Sequence, residues 1–242
     1  MSYEVKTMKE ALFGNPYVGR GIVIGKSEDG KKAVFAYFIM GRSENSRNRV
    51  FVRQGDGEIT IYPFDESKVK DPSLIIYSPV RRVGDKVIVT NGDQTDTIAA
   101  ALEAGKCFRH ALKSRTFEPD APNFTPRISG IFSRDGAGYS LSILKSADEK
   151  GSACNRYTFD YEPLAGLGHF IHTYETDGDP LPTFTGEPER VFIPDDIEAF
   201  ANEIWDNLDE DNRISLYCGA YEIGSDVRQD YLINRYSKEV NV

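Results

Sequence analysis

A chain of 242 residues fits one large domain or two small ones and is long enough to bury a full core. Its 40% hydrophobic and 28% charged residues are ordinary for a soluble globular protein. The net charge of −9 excludes a general nucleic-acid binder, which carries the opposite sign, and obliges any anion site to gather its arginines locally.

Tyr3–Phe13 reads as a short helix ahead of the turn Gly14-Asn15-Pro16. Glu4, Lys6, Lys9 and Glu10 interrupt this segment, so it holds no signal-peptide core. Strand patterns follow at Gly21–Gly25, Lys32–Met40, Arg49–Arg53 and Glu58–Phe64, separated by turns such as Glu28-Asp29-Gly30 and Gly55-Asp56-Gly57. Ala33–Met40 is the longest apolar stretch and is too short to cross a bilayer. No membrane partner is expected, and the cytoplasm is the expected compartment. Leu74–Val83 and Lys86–Thr90 form a predicted hairpin around Gly84-Asp85. Ile98, Ala101, Leu102, Gly105, Phe108 and Leu112 then recur at helical spacing, with Asp93, Thr95 and Asp96 as capping side chains.

Strands resume at Arg127–Ser133, Tyr139–Lys145, Asn155–Asp160 and Gly168–Tyr174. Thr176–Pro188 is rich in glycine and proline and reads as a surface loop. A second helix is expected over Pro194–Leu208, with Pro194 in its first turn, and strands close the chain near Ile214–Tyr221 and Tyr231–Tyr236. The order lacks the regular strand–helix alternation of a parallel sheet. The expected fold is one α+β domain over residues 1–242, with antiparallel sheets sandwiched by helices.

Gly41–Arg49 places Arg42, Arg47 and Arg49 among Ser43, Asn45, Ser46 and Asn48 at a strand end. Arginine forks match phosphate oxygens, so the loop suits an anion; a solvated loop pairing with some of the 38 acidic residues is the plainer alternative. Arg20, between Gly19 and Gly21, needs a partner if buried, either a ligand anion or a carboxylate. The turn Thr90–Asp96 leads into a helix N-terminus, where Asp93 and Asp96 disfavour phosphate; it suits base or ribose contacts, or simple capping. Glu118–Ser129 offers a carboxylate beside amide and guanidinium groups for acid–base work, or else a stiff connector. Tyr77 is either a packing tyrosine or a donor.

Cys107, Cys154 and Cys218 form no CxxC pair, and His110, His169 and His172 fall in no metal motif. His169 and His172 have opposite parity on a regular strand, which argues against a shared metal on one face. Gly166–Tyr174 lacks a dinucleotide fingerprint. No metal and no cofactor are expected.

Taken in order, these segments resemble the archaeal-type, stand-alone IMP cyclohydrolase family. The motifs are Gly19-Arg20; Arg42-Ser43…Asn48-Arg49; Tyr77…Arg81; Asn91-Gly92-Asp93-Gln94-Thr95-Asp96; and Glu118…Asn123…Thr125-Pro126-Arg127-Ile128, with a late Thr173-Tyr174. The resemblance spans Tyr17 to Tyr174 and leaves residues 1–16 as an N-terminal extension. It implies a four-layer αββα sandwich similar to N-terminal-nucleophile hydrolases. It also implies closure of 5-formamidoimidazole-4-carboxamide ribotide to IMP with loss of water, without cofactor.

By that resemblance Arg49, Tyr77 and Glu118 match the catalytic positions, Glu118 moving the proton while Tyr77 and Arg49 polarise the formyl oxygen or place the carboxamide. Arg20, Arg42 and Ser43 would hold the phosphate. Asn91, Asp93, Asn123 and Arg127 would contact imidazole or ribose, with Asn48, Gly92 and Thr125 also on the substrate. Three departures stand out. The Arg42–Arg49 loop is longer than the family pattern, Gln94 replaces a histidine, and the chain beyond Tyr174 matches weakly. A non-catalytic purine-ribotide binding protein on the same scaffold is the alternative. An amide hydrolase of the wider fold is disfavoured, because no Cys, Ser or Thr starts the first family strand. The expected partner is the small ribotide alone, and a homo-oligomer is compatible with every feature read here.

Overall fold

The structure, a computed structural model, describes residues 3–69 and 76–236. Five α-helices and thirteen strands are described. The strands are β1 (Arg20–Lys26), β2 (Lys32–Met40), β3 (Val50–Arg53), β4 (Ile59–Tyr62), β5 (Val80–Val83), β6 (Lys86–Thr90) and β7 (Arg127–Ser133). They continue with β8 (Tyr139–Ser146), β9 (Cys154–Tyr161), β10 (Leu167–His172), β11 (Glu189–Phe192), β12 (Arg213–Glu222) and β13 (Arg228–Asn234). The helices are α1 (Met8–Leu12), α2 (Glu44–Arg47), α3 (Gln94–Glu103), α4 (Phe108–Ala111) and α5 (Ile197–Asn207).

The strands form two antiparallel sheets. One has six strands in the order β11-β10-β1-β2-β12-β13, and the other seven in the order β3-β4-β5-β6-β7-β8-β9. The α+β class with antiparallel sheets is therefore as expected. Both faces of β2 are buried, which explains its unbroken apolar run. Its odd-numbered residues Phe35, Tyr37 and Ile39 meet Phe51, Ile61, Val89 and Ile143 in the core between the sheets. Its even-numbered residues Val34, Ala36 and Phe38 face the outer core under Met8, Leu12, Phe200 and Ile204 of α1 and α5. On the far side, Ile98 and Ala99 of α3 and Phe108 and Ala111 of α4 cover Ile88, Ile131 and Leu144. Met8 and Leu12, ahead of Tyr17, thus belong to the packed body, α1 being closed by a Thr7–Glu10 capping box.

Four expectations change. The helix read across Ile98–Leu112 is two helices. Gly105 adopts φ 72°, Lys106 N–H bonds to Ala101 C=O and Gly105 N–H to Leu102 C=O, a Schellman stop. Helix α5 starts at Ile197 under an Asp196 cap, so Pro194 lies upstream of its first turn. The strand expected over Leu74–Val83 is confined to Val80–Val83, and its first residues lie outside the described ones. Pro79 has no N–H for the ladder, though its carbonyl accepts from Thr90 N–H. Finally β11 follows the Thr176–Pro188 loop as a four-residue edge strand, too short to show a period.

Candidate active site

The loops at one end of both sheets converge on a cavity of about 750 Å³. Register explains the convergence. Arg20 begins β1 opposite Ile39 near the end of β2, while Ser129 near the start of β7 pairs with Thr90 at the end of β6. The segments that follow or precede those strand ends therefore share one rim. Gly19 makes the first turn possible: it sits at φ 77°, and a β-carbon there would meet Thr173 Oγ1 at 2.1 Å.

Arg20 and Arg49 reach the cavity together. Arg20 donates to Tyr17 Oη and to the Met40 carbonyl, each at 3.3 Å. The buried Nε of Arg49 has no hydrogen-bond partner, and neither arginine makes an ion pair among the described residues. Burial pushes the Arg49 guanidinium below its ordinary range, and the neighbouring Arg20 adds to this. For Arg20 burial acts the same way, but the phenols of Tyr17, Tyr37 and Tyr77 and the Glu118 carboxylate outweigh it and hold its pKa up. Tyr77 lines the same space, its backbone carbonyl accepting from Ile61 N–H at 3.0 Å. Its hydroxyl lies 3.1 Å from that of Tyr37.

Glu118 lines the cavity from a loop that is knotted rather than slack. Asp120 accepts from Thr125 N–H at 2.7 Å and from the Thr125 hydroxyl, while Glu118 N–H donates to Thr125 C=O at 2.9 Å. The Thr125 hydroxyl also meets Tyr174 Oη at 2.6 Å. Asn123 accepts from Leu181 N–H at 3.0 Å and so fastens the Thr176–Pro188 loop to the rim. The Glu118 carboxylate makes no ion pair among the described residues. Burial raises its pKa above the ordinary range, although Arg127 and Arg20 pull the other way.

The turn at Asn91–Asp96 is a brace. Asn91 spends its amide on Pro126 C=O at 2.8 Å, Ile128 N–H at 2.9 Å and Gln94 at 3.0 Å. Gln94, fully buried, accepts from Arg127 at 2.7 Å and holds it towards the cavity. Gly92 admits that guanidinium: a β-carbon there would lie 2.4 Å from Arg127 Nη1. Asp93 makes no capping bond, contrary to expectation, and instead pairs with Arg115 and with Arg127 at 2.7 Å. Burial opposes the Asp93 carboxylate, but the two arginines outweigh it and keep its pKa low. Thr90 and Thr95 close the turn on Gly92 C=O at 2.7 and 3.0 Å.

At the mouth, the expected loop is a helical turn, α2, capped by Ser43, whose hydroxyl accepts from Ser46 N–H at 3.1 Å. Arg42 pairs with Asp177, donates to Gly178 C=O at 2.9 Å and lies 5.1 Å over the Tyr17 ring. Arg47 is no free surface charge: it donates to Gly41 C=O at 3.0 Å and to Asn212 at 3.1 Å.

Of the thirteen residues expected to act, twelve line the cavity: Arg20, Arg42, Ser43, Arg49, Tyr77, Asn91, Gly92, Asp93, Glu118, Asn123, Thr125 and Arg127. Asn48 does not. It is buried and clamps Asp65 through N–H and C=O at 2.7 and 2.8 Å, so it braces the loop from behind. Asn48→Ala is expected to lower stability by about 1–3 kcal/mol in urea unfolding, the cost of stranding buried polar groups.

Tyr17, Asn45, Ser46, Pro119, Asp120, Tyr174 and Leu181 complete the wall. Tyr174 carried a signal in the Thr173-Tyr174 match, whereas Leu181 sits in a proline-rich loop without period. His169 bonds Tyr139 Oη at 2.6 Å while His172 bonds Tyr174 C=O at 2.7 Å, so the two histidines serve different surroundings. No metal-ligating group of three side chains occurs among the described residues. No helix among them is long and apolar enough to cross a membrane.

Comparison with known proteins bears on this cavity. The chain is 34% identical over 186 residues to an IMP cyclohydrolase of Methanopyrus kandleri, covering 64% of this chain and 91% of that protein. It is 38% identical over 148 residues to an IMP cyclohydrolase of Methanococcus maripaludis strain C7, covering 57% and 71%. With that of Methanococcus aeolicus the figures are 32% over 166 residues, 66% and 74%. A family model matches residues 17–225, well past the Tyr174 limit of the motif series and across every cavity-lining residue. The chain belongs to the IMP cyclohydrolase-like protein family.

Proposed function

We propose that this protein is an IMP cyclohydrolase, closing 5-formamidoimidazole-4-carboxamide ribotide to IMP with release of one water. The observation that carries the reading is chemical. One cavity holds a buried phenol together with two guanidiniums and a carboxylate that have no ion-pair partners among the described residues, and family membership points to the substrate. The sandwich of sheets between helices is, in this reading, akin to that of N-terminal-nucleophile hydrolases. No hydrolase nucleophile is used, since Tyr17-Val18-Gly19 leads into β1 without a Cys, Ser or Thr.

In the reaction the carboxamide nitrogen forms a bond to the formyl carbon within one molecule and gives up one proton, while the formyl oxygen gains negative charge. That oxygen leaves as water, carrying the carboxamide proton and the proton of the formamido nitrogen, as the C–O bond breaks and a C=N bond forms in the new ring. A carboxamide is a weak nucleophile, so a positioned base typically contributes about 10²–10⁴-fold. Glu118 is our base: its raised pKa makes the carboxylate more basic than a solvated one. Tyr77 and Arg49 donate to the formyl oxygen, where one aimed donor contributes about 3–4 kcal/mol. Arg20, Arg42 and Ser43 take the phosphate, which displaces Asp177 from Arg42. Asn123, Thr125 and Arg127 face the imidazole and ribose. Asn91, Gly92 and Asp93 act on the ligand mainly by placing Arg127.

The direct experiment supplies the formylated ribotide and follows IMP by absorbance. Turnover supports the reading. Tight IMP binding without turnover would replace it with a ribotide-binding protein. Arg42→Ala is expected to raise KM about tenfold or more with kcat nearly kept, as for a contact made equally in ground and transition states. An unchanged KM would move the phosphate away from Arg42.

A further inference from the structure

Tyr37 is the only hydroxyl on β2, in a run where Ala33, Val34, Phe35, Ala36, Phe38, Ile39 and Met40 are apolar. It is fully buried, stacked on Phe51 with ring centroids 5.5 Å apart. It does not line the cavity, whereas Tyr77 does. Among the described residues its hydroxyl meets one side-chain group, the hydroxyl of Tyr77 at 3.1 Å.

We propose that Tyr37 is a positioning residue that fixes the Tyr77 hydroxyl as a donor into the cavity. A phenol has one proton to give and can accept as well. If Tyr77 donated to Tyr37, its only proton would point into the core and none would face the ligand. If Tyr37 donates, the Tyr77 proton is left for the cavity. The surroundings select the second arrangement. The charged groups that act on Tyr77 are Arg49 ahead of β3, Arg20 from β1 and Glu118 from its loop. Arg20 and Arg49 act on the Tyr37 phenol as well, so geometry rather than charge separates the two hydroxyls. Tyr37 does not line the cavity, the Tyr77 oxygen is the acceptor its hydroxyl meets among the described residues, and Tyr217 beside it is engaged with Gly57 C=O at 3.1 Å. Burial drives the Tyr37 phenol well above its ordinary pKa, so it stays a donor across the working range. For Tyr77 burial also raises the pKa, while Arg49, Arg20 and the bond from Tyr37 pull it back.

The kinetic consequence rests on the cyclohydrolase reading; the hydrogen-bond arrangement does not. The test compares wild type, Tyr37→Phe, Tyr77→Phe and the double variant. Tyr37→Phe is expected to lower kcat about tenfold, the rate equivalent of one neutral hydrogen bond, with KM nearly unchanged. In the Tyr77→Phe background the same change is expected to cost nothing further, because Tyr37 acts only through Tyr77. Equal losses in both backgrounds would mark Tyr37 as a packing residue and overturn the proposal.

A second arm needs no turnover. In protein labelled with [13Cζ]tyrosine, the Tyr77 resonance, assigned by its loss in Tyr77→Phe, should titrate at higher pH once Tyr37 is phenylalanine. The phenolate loses a donor, so its pKa rises. An unchanged titration would refute the arrangement. If wild type shows no turnover, the cyclohydrolase reading fails and the titration alone decides on Tyr37.

Discussion

Glu118→Gln is expected to lower kcat by about 10²–10⁴-fold, the loss of a positioned base, with KM changed far less. The amide keeps the shape of the carboxylate and the knotted loop around Thr125, so the substitution removes basicity and little else. In wild type the acid limb of kcat/KM should lie above the ordinary glutamate range, because burial raises the Glu118 pKa. Activity is lost as pH falls through that value, and the limb should vanish in the variant. A variant that keeps its rate would move proton transfer to another group.

Glu118 also links activity to stability. Its folded-state pKa is raised, so between the ordinary and the raised value the folded chain binds more protons than the unfolded chain. Its contribution to stability is full below the ordinary carboxylate range and is lost as pH rises through the folded value. At neutral pH the ionised, partly buried carboxylate is a net cost. Glu118→Gln should therefore melt at a higher temperature than wild type at pH 7, and the gap should shrink near pH 4. A lower melting temperature at pH 7 would show that the carboxylate stabilises its surroundings.

How much of this was legible in sequence follows from where the physics is local. β2, β6 and β7 were read to their ends, because a two-sided apolar run and a hairpin turn are local signals. Gly105 was visible, yet helical spacing on both sides masked its left-handed stop. In the site, Arg20, Arg49, Tyr77 and Glu118 carry chemistry in their side chains and could be named from type and order. Their partners could not. Tyr37 is indistinguishable from packing until Tyr77 is placed 3.1 Å away, and Asn48 looks like a ligand residue until Asp65 is found in its grip. Asp93 looked like a cap and is an anchor for Arg115 and Arg127, a pairing 22 and 34 residues distant that no spacing rule contains.

Arg49→Met is expected to cost about 10²–10³-fold in kcat, the effect of removing one donor aimed at developing oxyanion charge. Methionine keeps most of the volume, so the change isolates the guanidinium. Arg49 is a poor structural residue as it stands. Its buried Nε has no hydrogen-bond partner among the described residues, and Arg20, a like charge, is close enough to depress its pKa. Removing a partly buried, unpaired cation should relieve both desolvation and repulsion, so urea unfolding should show the variant at least as stable as wild type. Arg49→Lys should also lose most of its activity. A lysine keeps a point charge but not the planar fork, and burial beside Arg20 would push its pKa down. Substrate binding sharpens the argument: an anionic ligand that neutralises the pair should raise the melting temperature of wild type more than that of Arg49→Met. If Arg49→Met is instead destabilised and keeps its rate, the guanidinium belongs to the scaffold and the oxygen must be met by Tyr77 alone.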